Sequence, residues 1–125
     1  MLVDTDVLIW HLRGYRQASR SLDELPKLTL SAMSYLELIP GMRNKEELAA
    51  VRRMFELRDA NVLPFTQEIT RRATELMETL ALSHGLQAAD ALIAATALEH
   101  HLTLLTGNSR HFEAVGGLGI EAFRI

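Results

Sequence analysis

Met1-Leu-Val-Asp-Thr-Asp-Val-Leu-Ile-Trp-His-Leu12 opens the chain with an apolar run that stops at an acid and resumes at helical spacing from Val7 to Leu12. Met1 to Asp4 therefore reads as a short buried strand, and the segment after it as a helix. The same alternation recurs to the end of the chain. Gln17 to Leu25 predicts a short helix, Leu28 to Leu30 after Pro26 a strand, and Ser31 a cap for a helix from Ala32 to about Met42. Asn44 and Glu47 have the spacing of a capping box, ahead of Leu48, Val51 and Phe55 on one helix face. Asn61 to Phe65 predicts a strand and Thr66 a cap. Ile69, Ala73, Leu76, Met77 and Leu80 then follow at helical spacing, up to Gly85 in a helix-terminating position. Gln87 to His101 is nearly apolar all round between Ala91 and Leu98, which predicts a buried helix. Leu102 to Thr106 is a strand, Ser109 to Ala114 a helical turn, and Gly119 to Ile125 a weak last strand. Strands alternating with helices imply an α/β fold, a three-layer α/β/α sandwich around a mostly parallel sheet of four to five strands.

Composition narrows the function. At 125 residues with 48% hydrophobic and 23% charged side chains, residues 1–125 are expected to form a single packed domain rather than a disordered or fibrous chain. No apolar stretch approaches the roughly 20 residues of a membrane span and the N-terminal segment has no basic stretch followed by an apolar one, so a cytoplasmic location is expected. Cysteine is absent, which excludes disulfides, thiolate nucleophiles and thiolate metal sites, so any metal is held by oxygen or imidazole. The net charge of -3 speaks against broad coating of nucleic acid. Of the basic residues 11 are Arg and 2 are Lys, and only 5 of the acids are Asp, so the positions of the aspartates carry information.

Parallel α/β sheets bind ligands at the carboxyl ends of their strands. Asp4 and Asp6 follow the first strand, Asp90 opens the helix that leads back into Leu102 to Thr106, and Asn108 follows that strand, so all four fall at this edge. Glu37 lies about two turns into its helix, within reach of the same edge at ~1.5 Å rise per residue. Singly, each acid has a plainer role: Asp4, Asp6 or Asp90 as a helix cap or dipole partner, Glu37 as an exposed helix residue. Together they point to a divalent cation, since clustered carboxylates repel, and an oxygen donor set selects Mg²⁺, with Mn²⁺ as the alternative. The chemistry implied is metal-assisted hydrolysis of a phosphodiester.

The chain resembles the PIN-domain ribonucleases, most closely the VapC-type toxins of toxin–antitoxin pairs, over essentially its full length. The resemblance lies in Leu2-Val-Asp-Thr-Asp-Val-Leu-Ile9, Ser34-Tyr-Leu-Glu-Leu38, Ala89-Asp-Ala-Leu-Ile-Ala-Ala95 and Leu104-Leu-Thr-Gly-Asn-Ser-Arg-His-Phe112. It implies a PIN-like fold and Mg²⁺-dependent cleavage of RNA to 5′-phosphate and 3′-hydroxyl ends. It also implies Asp4, Glu37 and Asp90 as catalytic and metal-holding acids, with Thr5 and Thr106 supporting them. Two positions depart from the family pattern: Asn108 and His111 stand where many members carry acids. Asn108 can still hold a metal-bound water, and Asp6, where an Asn is common, partly replaces the missing charge; one metal is expected rather than two. The resemblance further implies a small VapB-like antitoxin whose C-terminal segment obstructs the acidic site, and a homodimer or a toxin–antitoxin heterotetramer.

Arg13, Arg43 and Arg110 lie near the carboxyl edge and are the candidates for holding the RNA backbone, against a plain reading as solvated charge. Arg52, Arg53, Arg71 and Arg72 read as helix-face charges. His11, His84, His100, His101 and His111 show no metal-ligand spacing and are assigned no catalytic role. Two other functions compete. A haloacid-dehalogenase-type phosphatase would use Asp4 as nucleophile and Asp6 as acid/base, but it needs a late Lys and a further paired-acid motif, both missing. A degenerate PIN domain would only bind RNA or a protein, a reading opposed by the three retained acids and kept open by Asn108 and His111.

Overall fold

A computed structural model describes Met1–Ile125. Its elements alternate as the sequence predicts: β1 (Leu2–Val3), α1 (Thr5–Leu12), α2 (Arg16–Asp23), β2 (Thr29–Ser31), α3 (Ala32–Leu38), a 3-10 turn (Ile39–Gly41), α4 (Lys45–Leu57), β3 (Asn61–Leu63), α5 (Gln67–His84), α6 (Ala88–Glu99), β4 (Leu104–Thr106), α7 (Ser109–Phe112) and β5 (Ile120–Ala122). All three strand ladders are parallel, β1 with β4, β4 with β5 and β2 with β3. The expected four- to five-stranded sheet is thus present as five strands in two hydrogen-bonded groups, β1-β4-β5 and β2-β3. β1 runs beside β2, but its two residues make their ladder with β4.

Alternation along these strands builds the layers. Leu2 and Leu104 point to one face, where they pack with Leu63, Ile93, Ala94, Ala97 and Phe112. Val3 and Leu105 point to the other, against Val7, Leu8, Leu30, Leu38 and Phe55. Helices α1 to α4 therefore cover one side and α5 to α7 the other, which is the expected sandwich. Helix α6 is buried as its apolar circumference predicts, with α5 packed over it through Ile69, Ala73, Ala91 and Ala95.

Local signals set the boundaries. Asn44 Oδ1 accepts from the Glu47 N–H at 2.9 Å, Thr66 Oγ1 accepts from the Ile69 N–H at 3.1 Å, and Gly85 ends α5 at φ 68°. Helix α3 is shorter than expected, stopping at Leu38 rather than near Met42. Pro40 explains it: in a continued α-helix its ring would meet the Leu36 carbonyl and its missing N–H would break the ladder, so the chain tightens into the 3-10 turn. No helix is long and apolar enough to cross a membrane. Leu104 is fully buried between both layers. Leu104→Ala is expected to cost about 2–5 kcal/mol in denaturant unfolding. Leu82→Ala, on the exposed face of α5, is expected to change stability by less than about 0.5 kcal/mol.

Candidate active site

The strand-to-helix junction at Asp4 builds the centre of the carboxyl edge. The Asp4 N–H extends the ladder by donating to the Leu105 carbonyl at 2.9 Å, and its side chain then turns to cap α1, accepting from the Thr5 N–H at 2.8 Å. The carboxylate is 5% exposed. Its second oxygen accepts from Thr106 Oγ1 at 2.7 Å, and that hydroxyl accepts from the Asn108 N–H at 3.0 Å. Each donation polarises the next, so the Thr106 proton is committed to Asp4. Burial raises the Asp4 pKa above its ordinary value, the bonds from Thr106 and Thr5 oppose the rise, and the charge of Glu37 adds to it.

Glu37, on the last turn of α3, is joined to the same junction. Thr5 Oγ1 lies 2.6 Å from Glu37 Oε1 and 2.9 Å from Ser34 Oγ. One hydroxyl proton serves one acceptor, so Thr5 donates to the carboxylate and the buried Ser34 hydroxyl donates to Thr5. Ser34 was not singled out in the sequence, although its place one helical turn before Glu37 sets it on the same face of α3. Asp90, in the first turn of α6, has its pKa raised by burial first and then by the charge of Asp4. No Arg or Lys forms an ion pair with Asp4, Glu37 or Asp90. Near this edge stands His111, whose Nδ1 is 3.6 Å from Asp90 Oδ2.

Asp6 takes a different position. Its Oδ2 accepts from the Gly107 N–H at 3.0 Å, while Oδ1 is buried without a hydrogen-bond partner. Trp10 closes on the same glycine, since a Cβ at 107 would sit 2.5 Å from two atoms of the indole ring and 2.8 Å from Asp6 Oδ2. The loop between β4 and α7 is thereby fixed by Asp6, Trp10 and Thr106 together.

The structure thus links Asp4, Thr5, Glu37, Thr106 and Asn108 by hydrogen bonds and sets Asp90 within electrostatic range. Asn108 contributes its backbone N–H, and no side-chain bond caps α7. The arginine candidates divide. Arg13 lines a groove of about 600 Å³ that also includes Glu37, Ile9 and Met42. Arg43 borders the same groove, yet its guanidinium makes two bonds to Glu47 at 2.9 and 2.8 Å, an i,i+4 pair on an 84% exposed side chain. Arg110 is exposed on α7 beside His111. Arg71 and Arg72 are helix-face charges as expected, paired with Glu75 and Glu99.

As the side chains stand, no three acidic or imidazole groups surround one point. The donor set nevertheless suits a hard divalent cation. Two carboxyls, Asp4 and Asp90, are pushed up by burial and by the charge of acidic neighbours, none is neutralised by Arg or Lys, and every acidic donor is oxygen.

Comparison with known proteins agrees with this architecture. A family model described as PIN domain matches residues 1–118. Ribonuclease VapC10 of Mycobacterium tuberculosis is 42% identical over 116 residues, covering 90% of this chain and 85% of the relative. Ribonuclease VapC19 of the same organism is 36% identical over 116 residues, covering 89% and 90%. A toxin–antitoxin complex from Klebsiella pneumoniae superposes with a TM-score of 0.82 at 27% identity, over 98% of this chain and 97% of its counterpart. The chain belongs to the PIN-domain family, in its VapC-type branch.

Two outcomes test the geometry. Thr106→Val leaves Asp4 and the Asn108 N–H without their shared partner. It is expected to cost about 1–3 kcal/mol in denaturant unfolding, with Thr106→Ser recovering most of the loss. The Asp6 carboxyl is pushed up to about 6 from 3.8, by burial first and by Asp4 next. A folded-state pKa above the unfolded one means that this group favours the fold when protonated, and that the contribution is lost as pH rises through about 6. Asp6→Asn keeps an acceptor for the Gly107 N–H, so it is expected to raise the Tm by roughly 2–5 °C at pH 7.5 and to leave it unchanged near pH 4, by calorimetry in EDTA.

Proposed function

We propose that the chain is a Mg²⁺-dependent endoribonuclease, with Mn²⁺ as an alternative ion, and the toxin of a toxin–antitoxin pair. The observation that carries this reading is the pair of partly desolvated carboxyls, Asp4 and Asp90, raised first by burial and then by acidic neighbours, Glu37 beside Asp4 and Asp4 beside Asp90, and left without an Arg or Lys partner. The names of the relatives and the toxin–antitoxin complex that shares the fold support the same reading.

In this mechanism Asp4, Asp90 and Glu37 hold the ion, which when bound supplies Lewis acidity and a nucleophilic water at neutral pH. Asp4 is presented rigidly, because Thr5 N–H and the Thr106 hydroxyl fix both of its oxygens while leaving lone pairs free. Glu37 is aimed by the Ser34 to Thr5 relay, and it is the most exposed of the three acids. That position suits it to accept the proton of the attacking water. Arg13 and Arg110, both free of ion pairs, meet the RNA backbone on either side of the acids; Arg43 joins them after exchanging Glu47 for phosphate. The products are a 5′-phosphate and a 3′-hydroxyl.

The partner is a VapB-like antitoxin, whose basic segment is drawn to an edge that carries three acids, and toxin and antitoxin assemble as a heterotetramer around a toxin homodimer. A phosphatase that uses Asp6 as acid/base is disfavoured, since Asp6 is spent on Gly107. Single-stranded RNA is expected to be cut with Mg²⁺. Cutting should stop with EDTA and fall at least about a hundredfold in Asp4→Ala and Asp90→Ala. Cleavage that survives both chelation and substitution overturns the reading, and hydrolysis of a small phosphomonoester without RNA cleavage would favour the phosphatase.

A further inference from the structure

We propose that His111 is itself a ligand of the divalent ion, an imidazole nitrogen at an otherwise oxygen-lined centre, and that it moves the ion preference from Mg²⁺ toward Mn²⁺. This rests on the reading of Asp4, Glu37 and Asp90 as metal-holding acids. Spacing along the chain gave His111 no role; the fold sets it beside Asp90.

Three observations converge on the side chain. The first is separation: His111 Nδ1 and Asp90 Oδ2 are 3.6 Å apart, too far for a hydrogen bond. Neighbouring ligands on an octahedral ion with bonds of ~2.1 Å lie about 3 Å from each other, so a small side-chain rotation brings the two donors into one shell. The second is availability. Asp90 is the only charged group paired with the ring, and the side chain is 59% exposed, so ligation breaks no tighter contact.

The third is placement. Phe112 is fully buried, the His111 N–H donates to the Asn108 carbonyl at 3.0 Å, and Gly107 is held by Asp6 and closed over by Trp10. A four-residue helix held this firmly keeps the His111 backbone beside Asp90 at the edge, within reach of a side-chain rotation. From there its charge, when present, acts on Asp4 as well as Asp90. Imidazole is a softer donor than carboxylate. Mn²⁺ accepts it readily, whereas Mg²⁺ keeps oxygen and water, and this sets the direction of the preference.

The test uses the untagged full chain without RNA and reads the ion directly. Mn²⁺ titration followed by pulsed electron paramagnetic resonance is expected to show imidazole nitrogen coupling in the parent protein, absent in His111→Ala and His111→Asp. Mn²⁺ affinity should fall about tenfold in His111→Ala, with Mg²⁺ affinity, measured by competition, changing less than about twofold. His111→Asp should restore affinity and return the preference toward Mg²⁺. Stoichiometric Mn²⁺ binding that is lost in Asp90→Ala but shows no nitrogen coupling overturns the role of His111 and leaves the acidic site standing. Nitrogen coupling that persists in both His111 variants overturns it equally. Absence of Mn²⁺ binding in the parent protein overturns the acidic metal site and this inference with it. Unchanged Mn²⁺ spectra in His111→Ala overturn the ligand role, and weakened binding of single-stranded RNA by the same variant, measured separately in EDTA, would make the imidazole a substrate contact instead.

Discussion

Asp4 brings a carboxylate to the ends of two parallel strands with almost no access to water, and a charge in that position is stable only where donors surround it. Those donors come from three places: the first peptide of α1, the Thr106 hydroxyl at the end of β4 and, through it, the Asn108 N–H. Meeting this need fixes the β1–β4 register, because a slip of one residue would carry Thr106 to the opposite face and Leu2 and Val3 out of their layers. The helices then cover what the register has already decided. Apolar α6 goes beneath one face and α1 against the other.

Much of this was legible in the amino-acid order because it is local. A strand that stops at an acid, a cap at Thr66, a Gly at position 85 and an apolar circumference over Ala91 to Leu98 each report their own neighbourhood. The carboxyl-edge rule then brings Asp4, Asp90 and Asn108 together from topology alone. What remained hidden depends on pairs distant in the chain. The Asp6 bond to Gly107, the indole over that glycine and the approach of His111 to Asp90 have no counterpart in spacing. Two differences were local and were still missed. Pro40 shortens α3, and Arg43 with Glu47 has the i,i+4 separation of a helical ion pair. The sheet is split into two hydrogen-bonded groups at β1, whose two residues pair with β4 and not with β2.

The charge arrangement gives the net value of -3 a different meaning. Four arginines are occupied by acids on the surface, Arg43, Arg58, Arg71 and Arg72. The acids of the carboxyl edge have no such partners. For Asp4, Glu37 and Asp90, where strands end, a small cation or a basic segment of another protein is the natural complement.

Asp4 and Thr106 are 102 positions apart, and β1 pairs with a strand near the other end of the chain. During synthesis the acid emerges from the ribosome 102 residues before the hydroxyl that fixes it. Until then Asp4 is a solvated carboxylate on an unpaired strand, and Glu37 and Asp90 have nothing to converge upon. A chain proposed to cut RNA is thus made beside abundant RNA in a form that carries the acids without their arrangement. The order of translation itself delays the appearance of the site.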